Sequence, residues 1–351
     1  VTRPAKAIAM ISGGLDSTLA LALVRRQGIA VKAITFYTGL CITETQRRKG
    51  GRPDGTVPRN EALRAAADLE VDIEYVDISG PGYLDMLVHP RYGYGANANP
   101  CVDCRIFMMS RAREIMVAEG ADFVFTGEVL GQRPKSQRRD TLRIIERESG
   151  LDGRLLRPLS AKLLPPTIPE QEGRVDRERL LDISGRSRLR QMALAGELGV
   201  VDWPQPAGGC CYLTDEAFAR KFFDVLDAKE GAGEERRLVQ DDVILLSTGR
   251  HFRLSPRAKL VVGRTEVENA LLEHHVEGRA RVEAKDVLGP IALVEGEPTW
   301  EERVLASRIV ARYGKGKDLA RVAVEWREGE LVETYEVEPE RDEARIEKLR
   351  I

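Results

Sequence analysis

Six residues near the start of the chain, Ser12-Gly13-Gly14-Leu15-Asp16-Ser17, combine the parts an anion site needs. They follow an apolar run, Ala7 to Ile11, and precede a helical one, Thr18 to Arg26. A strand, a glycine turn and a helix start turn backbone N–H groups outward, and the helix dipole favours an anion there. Gly13 and Gly14 let backbone approach a phosphate. Ser12 and Ser17 add hydroxyl donors, and Ser17 is positioned to cap the helix. Asp16 would repel a bare phosphate, so it reads as a ligand for the Mg²⁺ that accompanies a nucleotide. The plainer reading is a glycine turn and nothing more. No G-x-x-x-x-G-K-[ST] occurs in the chain, which excludes a Walker loop.

The second reactive group is sulfur. The chain has five cysteines, Cys41, Cys101, Cys104, Cys210 and Cys211, and a reducing compartment argues against structural disulfides. Cys101-x-x-Cys104 opens a helical stretch, where a thiol's pKa is lowered. Alone it fits half a zinc site, a redox pair or two ordinary thiols. Zinc wants four ligands, and no second pair is present; His274-His275 reads as surface. Cys101, Cys104 and Cys210 as three thiolates suit a 4Fe-4S cluster with one iron left open for sulfide. The alternative is a persulfide on one cysteine whose partner frees the sulfur through a disulfide. The cluster is preferred because Cys101 has no task in the pair scheme. Cys41 reads as structural.

Both groups need a scaffold. Runs at Val31–Phe36, Asp72–Ile78, Asp122–Thr126 and Leu155–Leu159 read as further strands. Glu61–Leu69, Asn99–Glu119 (Asn99 as cap) and Ser184–Leu198 read as helices, Gly39–Val57 as a mobile loop and Ser79–Gly82 as a turn. Alternating β and α elements predict a doubly wound parallel sheet, with ligands at the carboxyl ends of its strands. The Ser12 loop, the Phe36 end and Thr126-Gly127 then share one rim. Phe218–Leu226 reads as a helix. After about Asp241 short strands (243–246, 259–262, 291–294, 320–326, 331–337) alternate with helices at Glu266–His275 and Thr299–Arg312, a smaller α+β domain. The expected domains are 1–228 and 241–351 with a linker at 229–240.

The length of 351 residues fits two or three domains. No run of about 18 apolar residues predicts a membrane span, and the N-terminal residues carry no signal-peptide core, so a cytoplasmic protein is expected. The net charge of −2 hides an asymmetry: residues 1–215 carry 30 Lys+Arg against 27 Asp+Glu, and residues 216–351 carry 24 against 29. Basic residues of the first part cluster at 47–52, at Arg133, Lys135, Arg138 and Arg139, and at Arg186, Arg188 and Arg190. Each could be a solvated face; together, around one ATP site, they fit a polyanionic substrate.

The S-G-G-x-D-S loop resembles the PP-loop of ATP pyrophosphatases (the adenine nucleotide alpha hydrolase-like fold), which split ATP between the α- and β-phosphates. Thr126-Gly127-Glu128-x-Leu130-Gly131-Gln132, then Ser136-Gln137 and Arg157-Pro158-Leu159, resemble segments of the tRNA 4-thiouridine synthetases, with one extra residue before Ser-Gln. The cysteines resemble those of the tRNA 2-thiouridylases, with Cys101 where their N-P-D-x-x-C motif has aspartate, as in an iron–sulfur version. The resemblance implies ATP contacts at Met10, Ile11, Ser12, Gly13, Gly14, Asp16, Ser17, Arg105, Gly127 and Gln137, and catalytic roles for Asp16, Cys104 and Cys210. It also implies a tRNA substrate, a sulfur donor (sulfide or a persulfide carrier), Mg²⁺, and room for a homodimer. Lys259–Asn269 resembles the RNA-binding NFACT-R domains, which would take over the RNA grip of the ferredoxin-like and THUMP region that this sequence lacks. The expected activity is ATP-dependent tRNA sulfur transfer that forms AMP and pyrophosphate. The rivals are a PP-loop enzyme that amidates or ligates a small molecule, and an RNA-binding scaffold with a degenerate catalytic half.

Overall fold

The structure, a computed structural model, describes residues 4–48, 50–51, 56–204 and 211–351. Contacts divide the chain into two units, Val1–Glu44 with Pro58–Cys210, and Thr45–Val57 with Cys211–Ile351. The division falls ahead of the linker expected at 229–240. Among the described residues no helix is long and apolar enough to cross a membrane.

In chain order the first elements are β1 (Lys6–Met10), α1 (Leu15–Arg25), β2 (Ala30–Tyr37), α2 (Ile42–Arg48), α3 (Glu61–Asp68), β3 (Ile73–Asp77), α4 (Pro81–Val88), α5 (Cys101–Ala118), β4 (Phe123–Thr126), α6 (Arg139–Glu148), β5 (Leu155–Leu156), α7 (Ile168–Gln171) and α8 (Leu189–Leu198). The five strands form a parallel sheet in the order β3-β2-β1-β4-β5. β1 is central, so its Ala7, Ile8 and Ala9 are fully buried and read as an uninterrupted apolar run. α1 is buried almost all round, between β4 and α8, which explains its unbroken L-A-L-A-L-V run. Phe123 and Phe125 on β4 fill the same core; each fully buried ring contributes roughly 1.5–3 kcal/mol. The order reverses at β1, whose partners β2 and β4 lie on opposite sides, so the crevice for a ligand opens at the carboxyl ends of β1 and β4.

Several local expectations need correcting. The stretch expected to be a loop at 39–57 contains α2, whose residues are mostly good helix formers with Glu44 in the first turn. The turn at Ser79–Gly82 is the start of α4, with Gly80 at the cap and Pro81 at the first position. Asn99 does not cap α5: the cap is Pro100, without a side-chain bond.

The second unit holds α9 (Glu216–Gly231), α10 (Gln240–Leu246), β6 (Arg250–Ser255), β7 (Ala258–Val262), α11 (Glu266–Glu273), β8 (Ala280–Ala284), β9 (Ala292–Gly296), α12 (Trp300–Arg312), β10 (Val322–Glu328), β11 (Leu331–Val337) and α13 (Glu343–Leu349). Six strands form a sheet in the order β11-β10-β8-β9-β7-β6, every described pair antiparallel. α12 lays Leu305, Ala306, Ile309 and Val310 on one face, with Phe252, Leu260, Val282 and Trp326. Leu272 of α11 and Leu245 of α10 cover the other, against Val261 and Leu293. The run at 243–246 is therefore helix, not strand. Asp242 accepts from the Val239 N–H and pairs with Lys229, so the local capping outweighs the β-like composition.

Candidate nucleotide site and cysteine pair

Met10 ends β1, and Ile11 is buried, with its N–H bonded to the Ile34 carbonyl. The chain then turns through Ser12 and Gly13. Gly13 has φ +73°, and a Cβ there would lie 2.0 Å from the Glu61 carbonyl carbon at the start of α3, so only glycine fits. Gly14 caps α1 without a side-chain bond. Ser17 does not cap: its hydroxyl donates back to the Gly14 carbonyl (3.0 Å), and its Oγ accepts from the Ser12 N–H (3.3 Å). The two serines thus brace the loop from inside.

Gly127 closes the other side. A Cβ at this position would sit 2.4 Å from the Ser17 nitrogen and 2.5 Å from the Asp16 carbonyl carbon. The end of β4 therefore rests against the loop backbone, as the shared rim predicts.

Asp16 is where the pieces meet. Its Oδ2 accepts from Gln132 Nε2 at 3.1 Å and faces Arg188 Nη2 at 3.8 Å. Its Oδ1 is buried and has no hydrogen-bond partner among the described residues. An uncompensated buried carboxylate oxygen is costly unless a cation or donor reaches it, so the residue fits a Mg²⁺ ligand. Gln132 and Arg188 did not stand out as site residues. Gln132 sits inside the T-G-E segment, and its position there was the available signal. Arg188 is brought in by the backbone: Gly185 N–H bonds the Leu130 carbonyl at 2.8 Å, joining the 184–190 segment to the 130–137 segment. Two of the three basic clusters thereby flank Asp16. Arg133, Arg138 and Arg186 are exposed and make no ion pair among the described residues.

Glu128 ties the cysteine helix to this wall. It is buried and pairs with Arg105 Nη1 at 2.6 Å and Arg157 Nε at 3.1 Å. Arg157, also buried, reaches Glu146 at 3.1 Å. Arg105 follows Cys104, and Glu128 follows Gly127, so the network holds the first turn of α5 beside the end of β4. Arg105 is engaged by Glu128 rather than free. Gln137 is buried; its side-chain carbonyl accepts the Arg133 N–H at 3.0 Å and shapes the 131–137 turn.

Cys101 and Cys104 are both half-buried free thiols, three residues apart on one face of α5. Cys104 Sγ lies 3.4 Å from the Tyr83 hydroxyl. The expectation of a lowered thiol pKa is overturned for Cys104: burial pushes it up, outweighing the Tyr83 bond and Arg105, while Cys101 and Asp103 push the same way. Cys210 lies outside the described residues. Among the described residues no group of three or more metal-binding side chains converges. The donor set of Cys101, Cys104 and Cys210 is chemically that of a three-thiolate cluster.

Residues 3–162 match the family model for the thiamine biosynthesis protein (ThiI), and residues 249–350 match that for the NFACT protein RNA binding domain. A tRNA-specific 2-thiouridylase of Syntrophotalea carbinolica is 34% identical over 33% of this chain and 32% of its own. One from Synechocystis is 30% identical over 46% of this chain and 44% of its own. The chain thus spans from about a third to under half the length of these relatives. The crystal structure of a 4-thiouridine synthetase–RNA complex with bound ATP is 18% identical, covering 56% of this chain and 52% of that one, with a TM-score of 0.33, too low to support a fold assignment by itself. The first match covers the part of the chain that holds the Asp16 loop and the α5 cysteines, so residues 3–162 are similar to the ThiI family and residues 249–350 to the NFACT RNA-binding domains, while these two curated relatives are tRNA thiouridylases.

Proposed function

We propose that this protein thiolates a uridine of tRNA at the expense of ATP and releases AMP and pyrophosphate. The observation that carries the reading is Asp16. Its buried, partnerless Oδ1 stands in an anion-binding loop, on the wall that Glu128 ties to the cysteine turn. Loop N–H groups of residues 13–17 neutralise the β- and γ-phosphates as they depart, and Asp16 would hold a Mg²⁺, which when bound supplies further charge neutralisation. The uridine carbonyl oxygen attacks the α-phosphorus, and pyrophosphate leaves. The oxygen is now part of AMP, a far better leaving group. A sulfur nucleophile attacks the ring carbon, the C–O bond breaks, and AMP departs with the oxygen.

Cys101, Cys104 and Cys210 would hold a 4Fe-4S cluster, which when bound supplies an open iron able to carry sulfide. Tyr83 orients the Cys104 thiol, and the raised pKa of Cys104 keeps it protonated until a metal or sulfur ligand takes it. Exposed Arg133, Arg138 and Arg186 suit the phosphates of tRNA. The product is 4-thiouridine or 2-thiouridine, and the sulfur comes from sulfide or a persulfide carrier. A separation of the half-reactions tests the scheme. Asp16→Asn should lose tRNA-dependent AMP formation and thionucleoside together. Cys104→Ser should keep AMP formation and lose thionucleoside. A Cys104→Ser protein that thiolates at the wild-type rate would refute the sulfur role.

A further inference from the structure

The second unit carries more acid than base, yet among its described residues a group of exposed cations without ion pairs lies together. Most of its arginines and lysines are tied to carboxylates: Arg220 to Glu216, Arg253 to Asp224, Arg264 to Glu268, Arg281 to Glu283. Lys315, Lys317, Arg321 and Arg341 make no ion pair among the described residues, and all four are exposed. Three lie in the segment Tyr313-Gly-Lys-Gly-Lys-Asp-Leu-Ala-Arg321 between α12 and β10. Arg341 is brought to it by a bond from its guanidinium to the Leu319 carbonyl (3.4 Å). The segment is pinned by the Lys315 N–H to the Leu288 carbonyl (2.7 Å), with Lys285, also unpaired, bonded through its N–H to Ala323 nearby in the fold.

Beneath these charges a cavity of about 440 Å³ is lined by Arg312, Tyr313, Lys317, Asp318, Glu340 and Arg341. Glu340 is buried and already engaged: its Oε1 accepts the Arg341 and Asp342 N–H groups, and Arg308 lies 3.3 Å from its Oε2. Asp318 is the remaining carboxylate on the wall. The Tyr313 ring stands among three guanidinium groups, Arg250 (4.6 Å from its centre), Arg312 (5.9 Å) and Arg350, which bonds its hydroxyl at 3.0 Å. Arg250 is half-buried and makes no ion pair among the described residues; burial, with Arg264 and Arg350 adding to it, works against its charge and outweighs Tyr313 and Glu268. A folded unit tolerates such a concentration where a polyanion neutralises it.

We propose that the 313–321 segment with Arg341 is where this unit grips the sugar-phosphate backbone of RNA, with Lys315, Lys317 and Arg341 on phosphates. The Tyr313 ring already packs against Arg250, Arg312 and Phe252, so the grip reads backbone charge and not base identity. This rests on the reading of the protein as tRNA-directed and names the residues that hold the tRNA.

The test is equilibrium binding of an unmodified tRNA transcript to the full chain, by fluorescence anisotropy, across a KCl series. K315A/K317A/R341A should flatten the slope of log K against log[KCl] by about 2 to 3, roughly 0.7–0.9 per lost phosphate contact. The control R220A/R257A removes two exposed cations that are paired with Glu216 and Glu297, and should leave the slope unchanged. An unchanged slope in the triple variant, or an equal loss in the control, overturns the proposal. An acidic protein as the true partner would give that unchanged slope. The measurement involves no thiolation, so a chain that binds tRNA this way but never thiolates it would sink the proposed reaction and leave the grip standing.

Discussion

At Asp16 one carboxylate oxygen accepts from Gln132, and the other is buried and bare. Asp16→Asn should therefore lower AMP formation by at least ~100-fold, since a metal's charge stabilisation is worth several kcal/mol, while thermal stability stays the same or rises. A radiolabelled ATP assay and a melting curve check the two halves. Gly127→Ala is predicted to act through space alone. Its Cβ must push back the Asp16–Ser17 backbone, so stability should fall by about 1–3 kcal/mol and the KM for ATP should rise. The loop was legible because six residues of fixed type sit between two periodic runs. The role of Gly13 was only half legible: its missing Cβ makes room for the backbone of α3, a contact no local pattern announces. The same holds for Arg157 and Glu128, which resembled motif residues and are buried partners that brace the site.

At the scale of elements, the parallel sheet could be read because β1, β2 and β4 are apolar runs alternating with helical ones. Helices α4 and α6 were missed for different reasons. Pro81 looked like a turn residue, and α6 buries only Leu142 and Ile145 in a helix where seven of ten residues are polar. The link between α5 and the strand edge gives a pH prediction. Glu119 lies between Lys32 and Lys6, at 2.7 and 2.8 Å, and they pull its carboxyl down to about 2, Lys32 most strongly. Its folded pKa is depressed, so its contribution is complete above about 4.5 and is lost as pH falls through about 2. The difference in unfolding midpoint between wild type and Glu119→Gln should shrink across that window, and a constant difference would count against the pairing.

In the second unit His251 is buried, and its Nε2 donates to the carbonyls of Thr248 (2.8 Å) and Leu245 (3.1 Å). Burial, then Lys259 and Lys221, push its pKa well below 6.5. The unfolded chain takes up a proton that the folded one refuses, so stability should decline as pH falls below about 6.5. Denaturant midpoints at a series of pH values should show this decline in wild type and a flatter one in His251→Gln.

For the whole molecule, two differently built units were visible as a change from long β–α alternation to short strands. Their division was not, because the polar stretch expected to be a linker lies inside the second unit, where it joins α9 to α10. The proposed function joins an ATP-splitting site, thiols and an RNA-binding unit in one chain, and its central claim is chemical. Purified protein, prepared anaerobically, would be given unmodified tRNA, ATP and sulfide, and the AMP released would be counted against the thiouridine found by nucleoside mass analysis. One thiouridine per AMP, with both absent when tRNA is omitted, is the predicted result. AMP formed without any thiolated nucleoside, or released at the same rate without tRNA, would contradict it.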